Sequence, residues 1–570
     1  MTLDSLPAGR SLVQRYRVPL AIGIIFIAIL AMRLIHLDAD SPPDLSWSGG
    51  LFGDEMALAH NARNKALFGE WISDEWNPYI YSPLLTLLEY AFFSVLGVGL
   101  VSLRLVNIFI LFLGFWLLLL TLRRDRDWPT AILAVGLLGF NYIFLMYNRI
   151  GLNDTFLVFP MLLTLYFWHR GLEKAPYFIL AGVSAFICYT IKATAVYFSL
   201  AAFLSLVWAI MQKPREAGGL KRGLRSLGFF LSGFGLSSIA WYVFFFLPNL
   251  GRFNSAMEDW VGLAMPENLG RYWRNVTSPQ ILKYFSLSPV ELLLGLSFIL
   301  WLLLTLFRDW KKIKPLEVFL SLWLLGGYLA IDGLNYHPLR YDVPLLPPLI
   351  ILTALLLSKI WNWSASGNFN LKAVLTKGWL FIILILFVTK LSLGFTKLVI
   401  GILVLLALVS IFMLVLLTKP RLLGFAMGKS DRDRRIRLFL RSAVAGLIGF
   451  SLIIQGIQYY RWVRWPDYTV RNTSREIGRM PGDFLIAGLW APLATIENRH
   501  RSLYLGKNWF NFYKPFVRYP ITHLFLWDGN NQEELRFLME RYPKIMERAV
   551  LLKIYNIKRL PVRFYRINRS

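Results

Sequence analysis

Cysteine and histidine are scarce in this chain of 570 residues, which contains one cysteine and six histidines. The single thiol, Cys188, can form no disulfide within the chain, so the redox character of its compartment cannot be read from it. The histidines are scattered, and none forms a close metal-ligand set with cysteine or glutamate. The chain also lacks a glycine-rich phosphate-binding loop, which argues against a nucleotide substrate.

Charged residues are scarce as well, at 17% of the chain, whereas hydrophobic residues make up 56% and the mean hydropathy is +0.51. The apolar residues gather in runs of about 18 to 22, the length that a helix needs to cross about 30 Å of hydrocarbon. We therefore expect a polytopic membrane protein that is all-α within the bilayer.

The formal net charge of +27 lies largely in short loops between the apolar runs. Because positively charged loops stay on the cytoplasmic side, these clusters predict the orientation of the chain. They also predict contacts with anionic membrane lipids, and we do not expect nucleic-acid binding. The clusters consist of Arg123, Arg124 and Arg126; Lys213, Arg215, Lys221, Arg222 and Arg225; Arg308, Lys311, Lys312 and Lys314; and Lys419, Arg421, Lys429, Arg432, Arg434, Arg435 and Arg437.

With those loops inside, the sequence predicts about thirteen transmembrane helices, a cytoplasmic N-terminus and an extracytoplasmic C-terminus. The apolar segment 83–101 is assigned as a re-entrant or surface helix, since a further full crossing would place Arg123 to Arg126 outside. The crossings are expected near residues 18–36, 104–122, 130–147, 155–168, 175–190, 194–211, 227–247, 289–307, 315–332, 342–359, 377–392, 396–417 and 441–460.

The predicted organisation has four parts, of which the last is a small extracytoplasmic α/β domain. Its short strand-like runs, at 484–489, 523–527, 550–555 and 562–567, surround a helix-like segment at 532–542. The parts are a cytoplasmic N-terminus at 1–17, a transmembrane module at 18–360 with a first external loop at 37–82, additional transmembrane helices at 361–460, and the α/β domain at 461–570.

Ionisable residues at membrane level are costly and usually mark function or pairing, and three such sites fall on the predicted external face. Asp54 and Glu55 follow the first crossing, where the alternative is an acidic pair favoured by the dipole at the start of a surface helix. Asp154 lies between two apolar runs, close after Arg149, where the alternative is an N-cap for a helix that starts at Thr155.

The third site contains His337, Arg340 and Tyr341 beside prolines at the mouth of a crossing. Arg340 could alternatively extend to lipid headgroups. Taken together, the three sites place carboxylates and cations on one surface. A carboxylate there can take a proton from an acceptor hydroxyl while arginine, lysine and tyrosine hold a phosphate leaving group.

Six short motifs also occur in a distinctive order between about residues 18 and 360. They are Asp54-Glu55 after the first helix, Ser82-Pro83-Leu84, Gly97 with Arg104-Leu105, Arg149 with Asp154, Thr190-Ile191-Lys192, and Arg340-Tyr341 with Pro344 and Pro347. This set resembles the GT-C glycosyltransferases, in the branch of the protein O-mannosyltransferases and the bacterial aminoarabinose transferase of lipid A.

The resemblance implies a GT-C-like membrane enzyme that moves a sugar from a polyprenyl-phosphate donor to a hydroxyl or phosphate of a lipid, protein or glycan acceptor. The expected course is an inverting displacement on the extracytoplasmic face. A compact C-terminal part, in place of the large inserted domain of the eukaryotic protein mannosyltransferases, favours a bacterial inner membrane. The resemblance implies catalytic roles for Asp54, Glu55 and Asp154, donor-phosphate binding by Lys192, Arg340, Tyr341, Arg149 and Arg104, and a substrate loop containing Tyr81, Pro83 and His337.

Two questions stay open at this stage. No cofactor is required, but Asp54 and Asp154 could hold a divalent cation such as Mg²⁺ or Mn²⁺. The alternative function is a membrane transporter or flippase, with Asp154, Lys192 and Asp332 as ligands at the bilayer midplane. The clustering of charged sites on one face favours the enzyme.

Overall fold

The structure is a computed structural model. It describes residues 12–46, 49–212, 219–253, 264–277, 284, 287–366, 429–506, 510–527 and 533–568. The predicted crossings at 377–392 and 396–417, and most of the predicted N-terminal segment, lie outside the described residues.

Long helices dominate the chain up to Arg464. Four of the helices begin with a proline, whose fixed φ suits the first helical turn: Pro78, Pro83, Pro289 and Pro315. The helices are α1 Leu12–Leu34, α2 Gly50–Leu58, α3 His60–Phe68, α4 Pro78–Tyr81, α5 Pro83–Leu96, α6 Leu100–Asp125, α7 Trp128–Phe140, α8 Tyr142–Asn148, α9 Asn153–Phe156, α10 Val158–Gly171, α11 Tyr177–Ile191, α12 Val196–Gln212, α13 Gly219–Trp241, α14 Leu269–Val276, α15 Pro289–Asp309, α16 Pro315–Asp332, α17 Leu346–Ser366 and α18 Lys429–Arg464.

Within the described ranges, seven helices are long and apolar enough to cross a bilayer, and the bent pair α7 and α8 would add an eighth. The multi-pass membrane architecture is thus confirmed, while the total of thirteen crossings stays a prediction. The predicted crossing at 130–147 consists of two helices, α7 and α8, which meet at a bend of 66°. Asn141 causes the break by capping α8, where its side chain accepts a hydrogen bond from the Phe144 N–H at 3.1 Å.

Two other apolar segments form short helices. The predicted crossing at 155–168 is divided into α9 and α10. The segment assigned as re-entrant or surface helix forms α5, which has 14 residues and ends before Gly97, at a φ of 83°. Glycine adopts this left-handed conformation at little cost, so it suits the end of a helix.

The C-terminal domain is a small α/β unit, as the sequence predicted, and it contains a mixed five-stranded sheet with short helices. Strand β1 pairs in parallel with β2 and β3, whereas β5 pairs antiparallel with β3 and β4. The sheet order is β2-β1-β3-β5-β4. The elements are α19 Thr469–Gly478, β1 Leu485–Gly488, α20 Ala491–Thr495, β2 Arg501–Tyr504, α21 Pro515–Arg518, β3 His523–Trp527, α22 Glu533–Arg541, α23 Pro543–Met546, β4 Ala549–Ile557 and β5 Leu560–Ile567.

This domain is fastened to the segment between α1 and α5. The buried guanidinium of Arg63 donates to three carbonyl oxygens of the domain, those of Thr495, Asn498 and His500, at 2.7 to 2.9 Å. Asp40 accepts a hydrogen bond from the backbone N–H of Thr469 at 2.7 Å. Charged groups bonded to buried backbone atoms are strong contacts. The domain therefore forms a fixed wall beside α2 and α3.

Candidate active site

Helix α2 carries Asp54 toward the arginine of a distant segment. Asp54 Oδ2 lies 2.7 Å from Nη2 of Arg340, and the aspartate side chain is 32% exposed while the arginine is 7% exposed. Gly50 makes this pairing possible, because a Cβ there would lie 2.6 Å from Asp54 Oδ2 and 2.9 Å from Arg340 Nη1. Gly50 was not among the predicted site residues, although the Gly49-Gly50 pair shortly before Asp54 is a signal for close approach.

Asp154 binds both cations of the site. It forms a salt bridge with Lys192, and its Oδ2 lies 3.7 Å from Nε of Arg340. Lys192 follows the last residue of α11 in an extended conformation, and its Nζ lies 3.2 Å from the centroid of the Tyr341 ring. Such a contact between a cation and an aromatic face is attractive. Asp54, Asp154, Lys192, Arg340 and Tyr341 thus meet in one group, which we name the charge cluster.

The segment that carries Arg340 and Tyr341 is a short 3₁₀ helix, Leu339–Leu345, and buried hydroxyl groups brace it. Tyr284 donates to the Leu339 carbonyl oxygen at 2.8 Å, and its hydroxyl lies 3.2 Å from that of Tyr147. Tyr147 and Tyr284 were not among the predicted site residues, because their hydroxyls act through backbone contacts that no sequence spacing reveals.

The geometry disfavours the three alternatives raised by the sequence. Asp154 does not cap its helix, since the N-cap residue of α9 is Leu152 and no side chain caps it. Asp54 lies beyond the first turn of α2, where a carboxylate gains little from the helix dipole. Arg340 is buried against carboxylates, so it does not extend to lipid headgroups.

Glu55 lies beside Asp54 in sequence but faces a different partner. Glu55 and Arg104 form a buried salt bridge, in which the Arg104 Nε lies 3.0 Å from Glu55 Oε2. The same oxygen accepts a hydrogen bond from the Gly151 N–H at 3.0 Å, and Arg104 also donates to the Leu37 carbonyl oxygen at 2.8 Å. This pair connects α2 and α6 to the loop before Asp154, so the geometry favours a positioning role for both residues.

The other predicted residues occupy separate places. Arg149 donates to the His36 carbonyl oxygen and lies 4.0 Å from the Trp462 ring centroid, so the structure does not bring it into the charge cluster. Tyr81 ends α4 and packs on Trp76, with 5.8 Å between ring centroids, and Pro83 begins α5. His337, which is three residues before Arg340 in the sequence, has its Nε2 3.7 Å from Asp332 Oδ1.

The open question of a divalent cation finds no support in this geometry. Asp54 and Asp154 both face the positive charge of Arg340. Among the described residues, no group of three or more histidine, cysteine, aspartate or glutamate side chains could hold a metal ion.

Burial shifts the protonation of groups in this site. Burial raises the pKa of Asp54 above its ordinary value, and the negative charge of Asp154 adds to this increase. The positive charge of Arg340 opposes the increase but does not cancel it. Burial lowers the pKa of Lys192 to about 8, although Asp154 counteracts the shift. With all four groups ionised, the cluster balances two negative against two positive charges, and within the described chain Arg340 Nη1 has no hydrogen-bond partner.

Comparison with known proteins places this geometry in a known fold. Residues 81–231 match the family described as dolichyl-phosphate-mannose-protein mannosyltransferase, which is less than half of the chain. The whole chain has the GT-C fold, as the ordered motifs predicted.

A solved structure of this fold is ArnT from Cupriavidus metallidurans bound to undecaprenyl phosphate. The similarity covers 97% of this chain and 98% of ArnT, with a TM-score of 0.53 and 14% sequence identity. The oligosaccharyltransferase AglB from Archaeoglobus fulgidus, in complex with an inhibitory peptide and a dolichol-phosphate, is less similar, with a TM-score of 0.48 and 10% identity over 86% of this chain and 65% of AglB. Comparison with curated protein sequences gave no match.

Proposed function

We propose that this protein is an integral-membrane glycosyltransferase that uses a polyprenyl-phosphate sugar as donor. The observation that carries the proposal is the position of Arg340, which lies between a partly exposed carboxylate, Asp54, and a buried one, Asp154. One acid is accessible to an acceptor, and the cations beside it can receive a phosphate. The fold of ArnT, whose structure holds undecaprenyl phosphate, supports the choice of donor.

Asp54 is the general base of the proposed reaction. It removes the proton from an acceptor hydroxyl as that oxygen attacks the anomeric carbon of the donor. A new bond forms between the acceptor oxygen and this carbon, while the bond to the phosphate oxygen breaks and its electron pair leaves with the phosphate. Attack opposite the leaving group inverts the anomeric configuration. An acceptor phosphate would attack without this proton transfer.

Arg340 and Lys192 stabilise the departing polyprenyl phosphate. An arginine can hold two phosphate oxygens at once, and a charged hydrogen bond gains strength in a site shielded from water. Arg340 has a spare donor at Nη1, and Tyr341 lies under the Lys192 ammonium group. Asp154 is a positioning residue in this scheme, because it holds both cations in place before the donor arrives.

The orientation follows from the charge of the loops. The basic clusters at Arg123–Arg126 and Arg308–Lys314 belong on the cytoplasmic side, and the charge cluster with the C-terminal domain belongs on the opposite side. We infer an extracytoplasmic reaction at the inner membrane of a bacterium. The acceptor is a hydroxyl or phosphate of a lipid, protein or glycan.

The test is a transfer assay in nanodiscs with labelled undecaprenyl- or dolichyl-phosphate sugars and crude envelope acceptors. Wild-type protein should release polyprenyl phosphate and label an acceptor. Arg340→Ala should lower the transfer rate about 10²- to 10³-fold, the usual loss when one donor to a developing anion is removed. Arg252→Ala, at an exposed arginine away from the charge cluster, is the matched control. Sugar transfer that survives in both Arg340→Ala and Asp54→Asn would refute the mechanism. If the protein were instead a transporter, Asp54→Asn would leave its transport activity largely intact.

A further inference from the structure

The edge of the C-terminal sheet that faces α2 is built from aromatic side chains. It is the edge at which the three parallel strands end, where open α/β sheets usually bind ligands. Strand β2 ends at Tyr504 and β3 at Trp527, with β1 between them. Because neighbouring strands lie about 4.8 Å apart, these two aromatic residues are separated by roughly 10 Å. We name this surface the aromatic edge.

Each of the two rings is backed by a buried tryptophan. Trp490 stacks on Trp527 with centroids 5.4 Å apart and an interplanar angle of 4°. Trp76 stacks on Tyr504 at 4.7 Å. The backing rings are both 5% exposed, whereas Trp527 and Tyr504 stay partly exposed. The inner rings fix the outer ones, which present rigid aromatic surfaces.

Helix α2 joins both stacks to Asp54. A Cβ at Gly53, the residue before Asp54, would lie 3.2 Å from the Trp490 ring. At the other end of α2, the Ala57 carbonyl oxygen accepts a hydrogen bond from Trp76 Nε1 at 2.7 Å. Burial raises the pKa of Tyr504, the charge of Asp54 adds to the increase and that of Arg340 opposes it, so this phenol lies within electrostatic reach of the charge cluster.

Two buried polar groups at the aromatic edge have unused hydrogen-bonding capacity. The Glu534 carboxyl group accepts the backbone N–H of Trp527 at 3.0 Å through Oε2 and lies beside the backbone N–H of Leu489, while its Oε1 makes no hydrogen bond of normal geometry within the described residues. The Trp527 indole N–H is also unpartnered within that part of the chain. Buried polar groups seldom remain unsatisfied without a functional reason. Burial raises the pKa of Glu534 to about 8, so its carboxyl group can donate a hydrogen bond at neutral pH.

We propose that the aromatic edge is the acceptor subsite and that the acceptor is a carbohydrate. The inference rests on the proposed glycosyl transfer. The C–H face of a sugar ring packs on the negative face of an aromatic ring, which suits Tyr504 and Trp527. Sugar hydroxyls can pair with Glu534 and with the indole N–H, and Asp54 lies on the helix between the stacks to take the proton of the attacking hydroxyl. A peptide hydroxyl would need no pair of stacking platforms.

The experiment measures acceptor use and donor use separately. Full-length protein in nanodiscs is given a labelled polyprenyl-phosphate sugar with envelope oligosaccharides, or with serine- and threonine-containing peptides of similar size. Glu534→Ala and Trp527→Phe should each raise the oligosaccharide KM about tenfold, the effect of one lost hydrogen bond. Hydrolysis of the donor by water should stay at the wild-type rate. Glu534→Gln, which keeps a hydrogen-bonding group, should recover part of the loss.

Matched controls are Glu540→Ala, on an exposed position of the same helix, and Trp465→Phe, at a tryptophan that is 72% exposed. An unchanged oligosaccharide KM in Glu534→Ala and Trp527→Phe would overturn the subsite, as would preferential labelling of the peptides. Oligosaccharide binding without donor, followed by tryptophan fluorescence, separates the two proposals. Binding that depends on Trp527 without any sugar transfer would refute the proposed function and keep the subsite.

Discussion

The two faces of helix α2 place neighbouring acids in opposite surroundings. Glu55 is 2% exposed and is held by the Arg104 guanidinium and a backbone N–H. Asp54 is 32% exposed and pairs with Arg340, which Asp154 also approaches. Successive helix residues point about 100° apart, so the pair must divide between two environments. A fully bonded carboxylate suits a structural contact, whereas a reachable one beside spare cationic donors suits chemistry.

The largest expected effect is on the exposed face. Asp54→Asn keeps the shape of the side chain and removes the base, so transfer should fall about 10²- to 10⁴-fold. Because the pKa of Asp54 is raised, wild-type kcat/KM should fall as the pH drops through a value above the ordinary aspartate pKa, where the base becomes protonated. A pH profile of wild type and variant checks both points. The exposed Glu70→Gln is the control, and an unaltered acid limb in Asp54→Asn would contradict the assignment.

A change on the buried face of α2, which carries Glu55, should mainly lower the stability of the fold. Glu55→Gln leaves the buried Arg104 charge without its counterion, which should destabilise the fold by about 3 to 5 kcal/mol. Thermal unfolding in detergent measures this change. The double variant Glu55→Leu with Arg104→Met should regain much of the loss, since replacing both charges removes the unpaired group. A Glu55→Gln protein that keeps wild-type stability but loses transfer would assign Glu55 to the chemistry instead.

A smaller loss of sugar transfer is expected when Gly50 is substituted, since this glycine allows Asp54 to approach Arg340 closely. Gly50→Ala introduces a Cβ within 2.6 Å of Asp54 Oδ2, so the salt bridge must shift. Overpacking of this kind costs about 1 to 3 kcal/mol, which corresponds to a roughly 5- to 150-fold loss of transfer if it acts only on the reactive geometry. Gly23→Ala, where an added Cβ meets nothing within 4 Å, is the control for the assay. Equal rates for the two variants would show that the Asp54 pairing tolerates displacement.

The smallest expected effect is on the pH dependence of kcat/KM, and it concerns Lys192 of the charge cluster. Lys192 must be protonated to hold phosphate, and burial lowers its pKa to about 8, so kcat/KM should decline as the pH rises through about 8. Arginine keeps its charge at that pH. Lys192→Arg should therefore remove this alkaline limb while lowering transfer at pH 7 less than Arg340→Ala does. Persistence of the limb would assign it to another group.

The same comparison shows what could be predicted from the sequence. Asp54, Asp154, Lys192 and Arg340 could be grouped because each is an ionisable residue at the end of an apolar run on one predicted side of the membrane. The division between Asp54 and Glu55 could not be predicted, since it depends on which way α2 is turned. Two distant arginines and the close approach at Gly50 fix that rotation.

The C-terminal domain shows a similar limit. Four of its strands were predicted from short apolar runs, but β2, Arg501–Tyr504, was missed because it begins with the polar residues Arg501 and Ser502. The stacks of Trp490 on Trp527 and of Trp76 on Tyr504 join loop residues to the ends of strands that are distant in sequence. In the sequence these residues stand out only as aromatic residues. Only the position of the sheet edge beside α2 shows that they form one surface.

The most direct test compares donor binding and sugar transfer in Asp54→Asn and Arg340→Ala. Equilibrium binding of a polyprenyl-phosphate sugar and its single-turnover transfer are measured on the same nanodisc preparations. The account predicts that Asp54→Asn retains donor binding and loses transfer, whereas Arg340→Ala loses affinity for the donor as well. Transfer to a hydroxyl acceptor at the wild-type rate by Asp54→Asn would contradict the account.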